Sequence, residues 1–158
     1  MELTPAIATA EKLKDALVSE VERAREERLL LRNLDGEALL RRAALRDGFN
    51  IACVALQRAL QRDLAGAAKR LSLTEVTLPA LAAQVPTEAA QLSGVLAQVR
   101  LLSSTLAELD ALNRSLGERT LSVVRSYLAA VVPKAASYGP QGQQAAAGAL
   151  SATVSTRA

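Results

Sequence analysis

PTEAAQLSGVLAQVRLLSSTLAELDALNRSLGERTLSVVRSYLAAVVP, residues 86–133, carries a proline at each end and none between. Proline suits the first turn of a helix and cannot continue one, so the two prolines bracket a single helix over about 87–132, roughly 70 Å at ~1.5 Å per residue. Read in sevens, Leu92, Val99 and Leu106 share one position, and Val95, Leu102, Leu109 and Leu116 fall three residues later. That spacing is a coiled-coil seam, which one face of a helix supplies. The seam then changes character. Its first register meets Asn113, Thr120 and Tyr127, while Leu121, Val124, Leu128 and Val131 open an apolar stripe beside it. A single polar residue such as Asn113 fixes register at some cost in stability. An apolar stripe beyond what one seam needs calls for a cover of its own, from the rest of the bundle, a second copy of the chain or a partner.

Working back from this helix, LSLTEVTLPALAAQVPTEAAQ holds Pro79 and Pro86 and reads as a break with a short turn of helix at LPALAAQ. Before it, Leu45, Phe49, Ala52, Leu56, Leu60, Leu64, Ala67 and Leu71 keep helical spacing, which predicts a second helix running to about Arg70. Gly48 and Gly66 weaken it, each explicable by close approach of a neighbour or by tolerance. The first helix starts at Thr4-Pro5, with Thr4 as its expected cap, and buries Ala10, Leu13, Leu17, Val21 and Ala24. Its charge run SEVERAREER reads as a solvated face laced by Glu20–Arg23, Glu22–Arg25 and Arg23–Glu27 pairs. Between these two helices Asp35 is expected to cap and Gly36 to turn the backbone, making them antiparallel neighbours. At roughly 45 to 55 Å they are shorter than the third helix. The expected fold is all-α: an elongated antiparallel bundle of three principal helices, residues 1–133, with a long coiled-coil-like C-terminal helix. Residues 134–158, rich in Ala, Gln, Gly and Ser, offer too few large side chains to offset their ordering entropy and are expected to form a flexible tail, with 143–158 dispensable for folding.

Composition narrows the function. The 158 residues include no histidine and one cysteine. Ser-His and Cys-His catalytic pairs and most catalytic zinc sites are thereby excluded, and no phosphate-binding glycine loop is present. Cys53, in the apolar run FNIACVAL, reads as a small core side chain with no activating neighbour. No enzyme, cofactor or metal is expected. Nineteen basic and sixteen acidic residues are interspersed, leaving a net charge of +3 without the clustered basic face that nucleic acid requires. No stretch reads as a secretory signal or a membrane span, so a cytoplasmic location is expected.

LDALNRSLGERTLSVVRSYLAAV, the link TLPALAAQVPTEAAQLSGVL and the later YGPQG together resemble the FlgN family of flagellar type III export chaperones. The resemblance runs from about Leu13 to Gly142. Family members often carry a second Asn three residues after the one matched by Asn113; Leu116 stands there in this chain. The resemblance implies a chaperone of hook–filament junction proteins (hook-associated proteins). It would hold their C-terminal segments through its own C-terminal helix and tail, prevent premature assembly and deliver them to the export apparatus. The family's binding region maps onto residues 113 to 142, and with the stripe this marks Asn113, Leu121, Val124, Tyr127, Leu128, Val131 and Tyr138 as partner-binding candidates. Contact with export-apparatus components and a homodimer stay open. A constitutive homodimeric coiled-coil adaptor, with the stripe buried permanently, is the competing reading.

Overall fold

The computed structural model describes residues 2–131. Among them are four helices, α1 (Thr4–Asn33), α2 (Gly36–Arg70), α3 (Leu78–Gln84) and α4 (Pro86–Val131), and no strand. The protein is an all-α helical bundle. The helix limits fall within a residue or so of the proline and cap positions read above. The chain divides into two units, residues 1–120 and 121–158; of the second, the end of α4 is described. The expected boundary after residue 133, the flexible tail and the dispensability of 143–158 lie outside the described residues.

In the first unit, long-range pairs set the directions of the helices. Thr9 donates to Asp63 at 2.7 Å, and Arg42 near the start of α2 donates to Glu20 at 2.6 Å, so α1 and α2 run antiparallel. Leu3 N–H donates to the Glu88 carboxylate and Asn113 Nδ2 to the Ala24 carbonyl, at sequence separations of 85 and 89 residues. Both separations are nearly equal, so this part of α4 runs parallel to α1. Two apolar clusters hold the three helices together. One gathers Leu3, Ile7, Ala10, Ala67, Leu81, Ala89, Leu92 and Val95. The other gathers Leu13, Leu17, Val21, Ala24 and Leu106, flanked by half-buried Phe49, Cys53, Leu56, Val99, Leu102 and Leu109. Each fully covered Leu or Val contributes about 1.5–3 kcal/mol. Ala6, Ala10, Ala24, Ala67, Ala68 and Ala89 are buried, so small side chains make up much of the core.

Several local expectations are corrected. The N-cap of α1 is Leu3, whose side chain makes no cap; Thr4 is already helical, and Leu3 N–H is satisfied by Glu88 of α4 at 2.6 Å. A tertiary carboxylate at a helix N-terminus does the work expected of a local hydroxyl. The α1–α2 turn is made by Leu34, in the left-handed region at φ 55°, and not by Gly36, which is the first residue of α2. Asp35 caps α2 as expected, accepting from Ala38 N–H at 3.0 Å. Leu45 and Ala52 are exposed although their spacing placed them on the core face of α2. Gly48 has nothing near a prospective Cβ, and Gly66 faces only Arg70 of its own helix, so no neighbouring helix approaches either one.

The largest correction concerns SEVERAREER. Glu20 is fully buried, not solvated. It accepts from Arg42 at 2.6 Å, Arg46 at 2.8 Å and Arg23 at 3.4 Å. Arg46 bridges onward to Asp110 of α4. Glu27 turns away from Arg23 to the buried Arg42, with its carboxylate 3.1 Å from Nε. Glu22 and Arg25 do pair on the surface, at 2.6 Å. A charged layer thus crosses the bundle beside the second apolar cluster, with Arg42 and Arg46 on one oxygen of the buried Glu20 carboxylate and Arg23 on the other, more partners than a lone ion pair would give it.

Candidate partner-binding site

Along α4 the buried residues are Ala89, Leu92, Val95, Leu106 and Asn113, and from Arg114 to Val131 none is buried. The cause lies in register. With α1 and α4 offset by 85 to 89 residues, the last residue of α1, Asn33, falls level with about Thr120 of α4. Asn113 closes the covered stretch. Its Nδ2 donates to the Ala24 carbonyl at 2.7 Å, and a hydrocarbon side chain at 113 could not make that bond. The seam turns polar where α4 is tied to α1.

The described part of the second unit, residues 121–131, presents the stripe. Leu121, Val124, Leu128 and Val131 lie on one helical face at three- and four-residue spacing. Leu121 is 54 % exposed, Leu128 50 % and Val131 57 %, while Val124 is half-buried. Tyr127 and Val123 are exposed along one flank of the stripe and widen it to a little under half of the helix circumference. Arg125 is the single charged residue in the segment. Such a surface suits another apolar stripe, and Arg125 suits one with acidic flanks.

The sequence-derived candidates therefore divide. Leu121, Val124, Tyr127, Leu128 and Val131 share the uncovered end of α4. Asn113 is buried in the first unit and engaged with α1. Tyr138 lies outside the described residues.

Other candidates resolve quickly. Cys53 is half-buried against the second cluster, and burial foremost, then the Glu20 charge, raises its pKa from the ordinary thiol value. It stays a thiol at neutral pH, so its packing role holds. For Arg46, burial alone would lower the pKa, but the hydrogen bonds it donates to Glu20 and Asp110, with their charges, outweigh it and the net shift is upward. No group of acidic residues and cysteine placed to hold a metal occurs among the described residues. No described helix is long and apolar enough to cross a membrane. What the sequence reading missed is a shallow hollow of about 400 Å³ on α2, lined by Ile51, Val54 and Arg58. Ile51 and Val54 were its only signal, two β-branched residues off the core face.

The model of the FlgN family, described as FlgN protein, matches residues 1–146. No curated protein and no solved structure matches the chain.

Proposed function

This chain belongs to the FlgN family of flagellar export chaperones, and from that premise we propose that it holds the C-terminal segments of hook–filament junction proteins. The end of α4 and the following tail receive the segment in the cytoplasm, keep it from assembling early and deliver it to the type III export apparatus. The observation that carries this reading is the change along α4: its seam is buried to Asn113, and its apolar residues from Leu121 to Val131 stand uncovered. An amphipathic segment laid along this face buries its own stripe together with the chaperone's.

The test is hydrogen exchange on the full chain, with and without a junction-protein C-terminal segment. Amides of residues 121–131 exchange quickly in the chain alone and are protected when the segment is added. Protection already present in the chain alone, together with a dimeric mass in solution, supports the adaptor reading instead. Exchange unchanged by a segment that binds moves the site off α4.

A further inference from the structure

A second seam runs along α2, on the side turned away from the bundle. The inner face of α2 is marked by the buried Arg42 and the half-buried Phe49, Cys53, Leu56 and Leu60. Ile51 stands nine residues from both Arg42 and Leu60, which is two and a half turns, and so lies on the opposite side of the helix. There Leu40 is 75 % exposed, Ile51 73 % and Val54 47 %. Leu40, Asp47, Val54 and Gln61 recur every seventh residue, and Ala44, Ile51, Arg58 and Ala65 do so four residues later. All eight are exposed. Alternating steps of four and three are the spacing of a coiled-coil seam. The hollow of about 400 Å³ on this face has Ile51, Val54, Ala55 and Arg58 on its wall, together with Asn50. The first four stand at i, i+3, i+4 and i+7, the set that forms the hole for an incoming side chain in coiled-coil packing.

The charged members of the seam say what fits it. Asp47 and Arg58 are exposed and engage no charged partner among the described residues. One precedes Ile51 by four residues and the other follows Val54 by four. A helix with an uninterrupted leucine stripe would cover both charges and pair neither. A second α2 laid parallel and in register would set Asp47 on Asp47 and Arg58 on Arg58. Laid antiparallel, about a two-fold axis between Ala52 and Cys53, α2 meets itself with every seam position matched. Ile51 then falls opposite Val54, Asp47 opposite Arg58, Ala44 opposite Gln61 and Leu40 opposite Ala65. The axis doubles the central apolar pair and closes it on either side with an ion pair. It also brings Ile51 of each copy level with the hollow of the other.

We propose that this face of α2 is a self-association surface, on which a second copy of the chain docks antiparallel through Ile51 and Val54 with Asp47–Arg58 pairs across the axis. The surface is distinct from the stripe that the adaptor reading buries, and it does not depend on guest binding. Its area sets its strength. A strip of 26 residues, about 39 Å long and ~10 Å wide, covers roughly 400 Å² per copy, about half of what a standard interface buries on each side. The association is therefore weak and concentration-dependent.

The test is sedimentation velocity on the full chain from ~1 µM to ~1 mM, over which the parent is expected to pass from monomer to dimer with a Kd on the order of 100 µM. Asp47→Arg and Arg58→Asp each set like charges together twice across the axis, and each should weaken the dimer at least ~10-fold. Mixed in equal amounts, the two variants again offer opposite charges at both pairs, and the dimer should return. Both positions are exposed, so each variant should melt as the parent does. The proposal is overturned if the parent stays monomeric throughout, if either variant alone dimerises as the parent does, or if the mixture does not restore the dimer. Leu121→Glu, Leu128→Glu separates the two surfaces: dimerisation unchanged in this variant supports the α2 face, and a dimer lost with it overturns the proposal in favour of the adaptor. Guest capture is read separately, from the exchange of residues 121–131.

Discussion

Replacing Leu121 and Leu128 by glutamate tests the partner surface most directly. In the chain alone these side chains are 54 % and 50 % exposed, so about half of each remains to be buried by a guest. Full burial of a leucine contributes about 1.5–3 kcal/mol, and half of that for two residues gives about 1.5–3 kcal/mol lost on substitution. Each glutamate also carries a charge that the guest would have to desolvate, which adds to the loss. The double variant should therefore bind a junction-protein segment at least ~100-fold more weakly, equivalent to about 2.7 kcal/mol. Its own stability should change little, because the half-buried sides of two leucines sit at the uncovered end of one helix and glutamate is a good helix former. At ~2–4 °C per kcal/mol for a chain of this size, a fall in Tm of no more than ~4 °C is expected. The assay is calorimetric titration and thermal melting on one purified sample. A collapse of melting together with binding would place these leucines in a core or a permanent dimer. Full affinity in a folded variant would place the guest elsewhere.

Three further outcomes follow from the bundle. Glu20→Ala takes from the buried Arg42 the closer of its two carboxylates and should cost about 3–5 kcal/mol in urea unfolding, where a loss below ~1 kcal/mol would mean that Glu27 or water makes good the loss. Asp35→Ala removes the acceptor for Ala38 N–H and should lower stability by about 1 kcal/mol; an unchanged urea midpoint would show that the turn at Leu34 holds α2 without its cap. Cys53→Ala should leave segment binding intact, and in the parent chain Cys53 should react with iodoacetamide more slowly than a free thiol at pH 8, since its pKa is raised; brisk reaction would contradict its burial.

Where local chemistry decides structure, the sequence was readable. Pro79 and Pro86 bound α3 and start α4, Asp35 caps α2, and the heptads from Leu92 to Leu109 form the covered side of α4. Tertiary partners decided what was not readable. Glu20 sits at seam spacing with Leu13, Leu17 and Ala24, a signal of burial that the surrounding charge run masked. Its partners Arg42 and Arg46 are 22 and 26 residues away, across a turn whose geometry depends on Leu34. In the same way nothing near Thr4 announces that Glu88 will satisfy the start of α1. For the candidate site, spacing alone located the stripe from Leu121 to Val131. The burial of Asn113 and its bond to Ala24 required the register between α1 and α4, which no local pattern encodes.

The charged layer at Glu20, Arg42, Arg46 and Asp110 also distinguishes α4 from a plain apolar helix. A leucine stripe at heptad spacing is the face by which α4 packs and the face that a guest segment would offer, so apolar complementarity alone does not tell them apart. A guest that displaced α4 would bring leucine to the place of Asp110, leave Arg46 with one carboxylate fewer and forfeit the Asn113–Ala24 bond. Loss of the buried Asn113–Ala24 bond alone leaves a carbonyl unpaired at a cost of about 1–3 kcal/mol, comparable with what one buried leucine returns. The layer therefore works as a password within the bundle: α4 carries Asp110 and Asn113, a plain apolar helix does not, and apolar spacing alone does not admit a helix to this place.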